Sequence, residues 1–414
     1  MNELNIAAVS ANELILLLGV IGIVGIIGGW ISEQIKIPDV VLYLVLGILA
    51  GPIFFDVINL ESFPVANEMI LSFGSAFILY EGGREVKLKV LSQVKVTVGL
   101  LATLGVVISM FIVALGAYWI LGVPFQICLL LGAIIAPTDP ASLIPVFIQI
   151  SIVKKLKQTI ISESAFNDAV GAILVTTLMG SILSNQFTLS QSLFKLIIMV
   201  VVGTLIGISI GLGAEILSSE KAYGIFRGFG PILSVLSVIF AYEITERLHG
   251  SGYMAVFIAG LISGNKKQFG LWAPEESFVS AVHFRENIAT LSRMAIFIVL
   301  GTRVHLPSLL QYAGKALIIV GILMLVARPL VVLICTSLDQ RAEWKKNEKL
   351  FMMWVRETGV IPAALSGMVA SMELPGYEMV SSVVFMTILV TLLLQASTNQ
   401  WMAEKLGVLE PNDK

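Results

Sequence analysis

The sequence predicts an all-α, polytopic membrane protein of about thirteen transmembrane helices, arranged as inverted-topology repeats with two discontinuous helices. Three observations carry that fold class. Of its 414 residues, 57% are hydrophobic and 13% charged, whereas a soluble domain carries about 45–50% apolar and about 25% charged residues. Apolar stretches of the roughly 20 residues needed to cross a bilayer recur from end to end, with only short connections between them. Two of these stretches, the fifth and the twelfth, are broken in the middle by proline. They lie an odd number of spans apart, so they run in opposite directions, as inversion requires.

In chain order, the spans are expected at 13–33, 38–57, 66–83, 97–121, 125–146, 158–184, 192–216, 229–248, 252–264, 287–302, 314–337, 349–371 and 378–398. The ninth is short. No composition shift marks a linker, so residues 1–414 read as a single membrane unit. No basic stretch precedes the first span, and no cleaved signal peptide is expected. Lys and Arg orient the chain. With the N-terminus outside, nineteen of the 26 basic residues fall in cytoplasmic loops and the tail, four fall outside, and Arg293, Arg328 and Arg356 fall within spans. This bias predicts N-terminus out, C-terminus in. A net charge of −2 gives no reason to expect a nucleic-acid partner.

Several spans carry residues that lipid does not tolerate without a partner, a cavity or a task. The third ends in "FILYEGGREVK", with Glu81 just before two glycines. The fifth reads "LLLGAIIAPTDPASLIPVF", with Thr138 and Asp139 between Pro137 and Pro140. Each proline removes a donor and clashes with the carbonyl four residues back, so the helix should unwind there. Unwound backbone at membrane depth is tolerated where it is buried or lines a cavity, and its freed carbonyls suit a cation. The sixth span holds "SESAFNDAV". Glu163 and Asn167 are spaced i, i+4, as are Ser164 and Asp168, which makes one polar helical face. Asp168 lies eleven residues past Lys157, roughly 15 Å along a helix, near the midplane of a ~30 Å hydrocarbon core. The seventh carries Gly203, Gly207 and Gly211 in register, a helix-packing stripe. The twelfth reads "MMWVRETGVIPAALSG", in which Arg356 needs a counter-charge, and Glu163 is a candidate. Arg293 and Arg328 have no partner that sequence assigns. Cys128 and Cys335 read as small packing residues, and His249, His283 and His305 as loop residues.

No nucleophile–base pair, phosphate loop or zinc ligand set is present, so a transporter without a cofactor is expected, not an enzyme. Hard oxygens on Thr138, Asp139, Ser164, Asn167 and Asp168 suit a monovalent cation or a proton. Two nearby buried carboxylates favour holding a proton between them. A carboxylate that takes either H⁺ or a cation exchanges the two without any further coupling device.

At "APTDPA" and "SESAFNDAV" the sequence resembles the monovalent cation:proton antiporters, specifically the NhaP-like sodium/proton branch related to the animal exchangers. The resemblance extends over nearly the whole chain, including "LYEGG" in span three and the broken, Arg-containing span twelve. It implies an electroneutral exchange of Na⁺, or Li⁺, for H⁺ by alternating access, serving pH homeostasis at the cell membrane. It implies a cation bound by Asp168, Asp139, Ser164 and the Thr138 carbonyl, with Glu81 as a further ligand. It implies that Asn167 binds across to Thr138 and that Glu163 and Arg356 form a structural ion pair. It also implies a homodimer whose core subdomain moves against a dimerisation subdomain, the two interleaved along the chain. A potassium/proton antiporter of the same fold and a gated cation channel subunit are the alternatives the motifs leave open.

Overall fold

The computed structural model describes residues 3–35, 37–60, 63–139, 143, 147, 151–184, 189–219, 224–271, 275–372, 374 and 376–410. Among them the regular structure is helical, joined by short irregular segments, with an isolated antiparallel bridge between Ile152 and Leu409. The helices are α1 (Glu3–Ile35), α2 (Asp39–Ala50), α3 (Pro64–Glu85), α4 (Leu88–Leu100), α5 (Val106–Leu121), α6 (Phe125–Ile135), α7 (Lys154–Ser184), α8 (Leu189–Ser218), α9 (Gly230–Arg247), α10 (Gly252–Gly264), α11 (Glu275–Thr302), α12 (Leu306–Ile322), α13 (Arg328–Leu338), α14 (Lys346–Trp354), α15 (Val360–Ser371), α16 (Tyr377–Thr391) and α17 (Ser397–Leu406).

Seven continuous helical stretches among the described residues are long and apolar enough to cross a membrane. They are Ala11–Ile35, Leu88–Leu121, Lys154–Leu183, Ile197–Ser218, Arg227–Arg247, Leu306–Leu338 and Tyr377–Leu406. Shorter apolar helices, α2, α6, α10 and α15 among them, pack between these. The second is shorter than its expected span because Gly51-Pro52 stops it after Ala50. Conversely, helix runs back from the expected start of the fourth span to Leu88, and from that of the tenth to Glu275. The apolar run marks only the part of a helix that faces lipid, and polar turns extend it.

Apolar side chains face outward as well as filling the core, and several charged groups of the spans are kept inside. Ile15, Leu16, Ile23, Ile26 and Trp30 of α1 are exposed, as are Leu317, Ile318 and Leu325 on the stretch that begins with α12. Arg356 is the largest fully buried side chain, and Glu163, Asp168 and Glu357 are buried with it. That distribution suits a lipid solvent, in which charge is kept inside the bundle.

The glycine stripe of α8 packs as its spacing predicts. A Cβ at Gly203 would come within 2.8 Å of the Ser251 carbonyl, and one at Gly211 within 2.9 Å of the Ala259 backbone. One at Gly207 would meet the Ala255 carbonyl, so α8 and α10 lie backbone to backbone. Arg293 has its partner in Asp39, at 3.0 Å across α11 and α2. The two cysteines are buried and unbridged.

Among the described residues three π-helical turns interrupt the long helices, at Leu101–Gly105, Leu323–Ala327 and Leu392–Ala396. The first two fall in the fourth and eleventh expected spans, the same offset that separates the two proline-broken ones. Such turns are frequent at functional sites. The second directly precedes Arg328, and the third contains Gln395.

Candidate functional site

The site is built where two helices stop. α6 ends at Ile135, because the chain bends at Ala136-Pro137 and then runs irregularly through Thr138 and Asp139. Ala136 keeps helical angles (φ −68°, ψ −38°), but Pro137 has no N–H to continue the ladder, so the helix stops there. Pro140 and most of the following half-span lie outside the described residues. In the twelfth span α14 ends at Trp354, residues 355–359 are irregular, and α15 starts at Val360.

Each half-helix that ends here leaves carbonyls exposed at its negative pole. An arginine meets them in both cases. Arg356 Nη2 donates to the carbonyls of Ile135 and Ala136 at 2.6 and 2.7 Å, and its Nη1 donates to Thr358 Oγ1 at 3.0 Å. Arg328 donates from Nε to the Met352 carbonyl at 2.8 Å and from Nη2 to the Val355 carbonyl at 3.2 Å.

This geometry corrects one expectation. Glu163 pairs with Arg328, not with Arg356: its Oε2 accepts from Arg328 Nη2 at 3.0 Å, and its Oε1 from Nη1. Arg356 is committed to the open end of α6. Arg328, just past its π turn, reaches both Glu163 and the open end of α14.

The two irregular segments touch. The Asp139 N–H donates to the Glu357 carbonyl at 2.9 Å. A Cβ at position 359 would collide with the Asp139 carboxylate, so Gly359 is what lets that carboxylate lie at the start of α15. There it faces the positive pole of a half-helix. Glu357 is buried, with Oε1 accepting from Asn399 Nδ2 at 2.5 Å. Nothing in the sequence pattern singles out Glu357, Gln395 or Asn399. The mid-span breaker pair Gly359 and Pro362 is the nearest signal.

α7 closes the site against the Thr138 segment. Asn167 grips Thr138 twice: its Oδ1 accepts from the Thr138 N–H at 3.2 Å, and its Nδ2 donates to Thr138 Oγ1 at 2.9 Å. Thr138 Oγ1 and Ser164 Oγ share a further hydrogen bond at 2.6 Å. Gly171 allows the approach, since a Cβ there would overlap the Pro137 ring. Thr138, Ser164, Asn167, Asp139 and Asp168 are all buried, and the last two lie within electrostatic range of each other.

Asp168 is 0% exposed, and neither of its carboxylate oxygens has a hydrogen-bond partner among the described residues. A bare carboxylate in such surroundings costs several kcal/mol unless it is neutralised. A proton or a cation does that, and the hydroxyl and carbonyl oxygens of Thr138 and Ser164 are at hand.

Glu81 is not brought into this cluster. Its carboxylate binds Arg84 Nη1 at 2.8 and 3.0 Å and lies 3.2 Å from Arg285 Nε. Two guanidiniums already satisfy it near the end of α3, a context that "LYEGGRE" shows only in part.

Comparison with known proteins places this arrangement. The chain is 30% identical over 388 residues to the K⁺/H⁺ antiporter NhaP of Alkalimonas amylolytica, covering 93% of this chain and 65% of that protein. It is 29% identical to Na⁺/H⁺ antiporter 1 of Methanocaldococcus jannaschii, covering 97% of this chain and 99% of that one. The solved structure of the sodium proton antiporter MjNhaP1 from the same organism, at pH 8, superposes with a TM-score of 0.79. That match is 27% identical and covers 95% of this chain and 99% of the other. The transmembrane sodium/hydrogen exchanger family profile matches residues 20–405. The chain therefore belongs to the sodium/hydrogen exchanger family.

Proposed function

We propose that the protein is a secondary antiporter that exchanges Na⁺ or Li⁺ for H⁺ across the cell membrane, one for one, by alternating access. The observation that carries this reading is Asp168, wholly buried, with neither oxygen hydrogen-bonded among the described residues, one helical turn past Ser164, which itself bonds Thr138. A carboxylate in that setting is stable when it holds a proton or a cation and costly when it holds neither. The charged, empty state is therefore disfavoured from crossing, and loaded states of equal net charge alternate.

In this scheme Asp168 is the exchanged charge. Ser164, Asp139 and the Thr138 carbonyl supply further oxygens to Na⁺. Asn167 holds the Thr138 segment to α7, while Arg356 and the Glu163–Arg328 pair hold the crossover in register. Glu81 serves the cytoplasmic end of α3 and is not a direct ligand. The proposed topology is N-terminus outside and C-terminus cytoplasmic. The assembly is a homodimer in the bilayer, and the physiological task is pH homeostasis.

A potassium/proton exchange is the second reading, favoured by the name of the Alkalimonas relative. Both readings are tested by proton flux in proteoliposomes on adding Na⁺, Li⁺, K⁺ and choline in turn. Proton release with Na⁺ and Li⁺ alone supports the first, and release with K⁺ the second. Flux that follows the membrane potential without any cation preference would remove both.

A further inference from the structure

The crossover buries more negative than positive charge. Among the described residues, Asp139, Glu163, Asp168 and Glu357 are buried there with Arg328 and Arg356. On the reading that Asp168 carries one cargo cation, one negative charge is left over.

Glu357 is surrounded by buried oxygens that lack donors among the described residues. Glu357 and Asn399 are 0% exposed and Gln395 is 1% exposed. Glu357 Oε1 takes the Asn399 amide, but Glu357 Oε2 and Asn399 Oδ1 have no hydrogen-bond partner among the described residues. Gln395 sits one turn before Asn399. It gives its Nε2 to the Trp354 carbonyl at 2.5 Å, and its Oε1 is likewise without a partner. One carboxylate oxygen and two amide oxygens are thus left as acceptors among the described residues, Asn399 bonded to Glu357 and Gln395 to the last residue of α14, three positions before Glu357. Each would cost free energy if left dry. Carboxylate and carbonyl oxygens that lack donors are the ligands that replace the hydration shell of an alkali cation. Gln395 belongs to the π turn at Leu392–Ala396, a local irregularity of the kind that marks functional positions.

We propose that Glu357, Gln395 and Asn399 form a second monovalent-cation site, distinct from the one at Asp168 and joined to it by the Asp139 N–H bond to the Glu357 carbonyl. A cation resident there balances Glu357 and leaves Asp168 as the only exchanging charge, so turnover stays one for one. The site also ties the π turn at Leu392–Ala396 and the start of α17 to the end of α14 and the irregular segment that follows it.

Thallium(I) is the probe, because it substitutes for alkali cations and can be located by its anomalous scattering. Equilibrium binding to the purified full chain in detergent at alkaline pH should give two Tl⁺ per chain. Asp168→Asn and Glu357→Gln should each leave one, and the double variant none. Asn399→Leu keeps the carboxylate but removes one carbonyl ligand. It should weaken the second site by about tenfold, the equivalent of ~1.4 kcal/mol, and it serves if Glu357→Gln does not fold. Thallium-soaked crystals should show density between Glu357 and Asn399. One Tl⁺ per chain in the unmodified protein would overturn the proposal. So would two in Glu357→Gln, unchanged affinity in Asn399→Leu, or a site that refines as water. If Asp168→Asn keeps two Tl⁺ while Glu357→Gln keeps one, the second site stands and the assignment of cargo to Asp168 fails.

Discussion

Replacing Glu163 by Gln keeps the shape of the side chain and removes its charge. Arg328, 3% exposed, would then be a buried cation whose remaining acceptors are the Met352 and Val355 carbonyls. Breaking a buried pair by removing one partner costs roughly 3–5 kcal/mol. The surviving carbonyl bonds, worth roughly 1 kcal/mol each, should hold Glu163→Gln to the lower end of that range. Arg328→Gln should cost more, about 5–6 kcal/mol, because it strands the carboxylate and also uncaps α14. The double variant removes both charges, so it should be less damaging than Arg328→Gln alone. The resulting coupling should be at least ~2 kcal/mol, well beyond the additivity expected of independent sites. Arg356 makes no hydrogen bond to Glu163, its contacts being Ile135, Ala136 and Thr358. Glu163 still lies within electrostatic range of Arg356, so Glu163→Gln combined with Arg356→Gln should show some coupling, but less than the Glu163–Arg328 cycle. Unfolding in mixed micelles by SDS titration, followed by tryptophan fluorescence, measures both cycles. Stronger coupling to Arg356 than to Arg328 would refute this assignment of the pair.

Other consequences follow from single contacts. Asn167→Ala breaks both bonds to Thr138 and leaves a buried N–H without its acceptor, a loss of about 1–3 kcal/mol; flux assays should show sharply reduced exchange, and normal exchange would mean that the Thr138 segment is held by other means. Gly359→Ala sets a methyl against the Asp139 carboxylate, so it should impair folding or cation affinity, whereas Gly19→Ala, with open space around it, should do neither, as yield and Na⁺ dependence of flux will tell. If Asp168 is the only exchanged charge, sodium-driven proton flux should be the same at zero and at a large negative membrane potential clamped with valinomycin and potassium (where K⁺ is not itself a substrate); a several-fold difference would mean net charge movement.

Much of this site could be read from the sequence because its chemistry violates the rule of its surroundings. Asp139, Glu163 and Asp168 stand out in apolar runs, and the i, i+4 spacing puts Ser164 and Asp168 on one face of α7. Pro137 in the middle of a span announces a break, and the chain is irregular there. The glycine stripe of α8 needed only a period, and its partner α10 was the nearest short apolar helix. What could not be read is which arginine meets which acceptor. Arg356 and Arg328 both seek negative charge, and most of the acceptors they find are main-chain carbonyls, which have no letter in the sequence. The partner of each depends on how the two open segments cross, a property of packing between residues some 220 positions apart. The ion pairs of Glu81 show the same limit. Arg285, its second partner, lies on α11, far along the chain. Gln395 and Asn399 drew no attention because amides near the end of a span are ordinary until a buried carboxylate is found against them.

The most direct test of the central claim is cation-driven proton flux in proteoliposomes containing Asp168→Asn. The amide keeps the size of the side chain but can neither carry the exchangeable proton nor neutralise a cation. The variant should be folded, with a thermal unfolding profile in detergent at least as stable as that of the unmodified protein, since a buried and unpartnered charge has been removed. Its exchange should fall to the level of empty liposomes at every pH and with every cation. Exchange at the unmodified rate in a folded Asp168→Asn protein would contradict the claim that this carboxylate is where cation and proton compete.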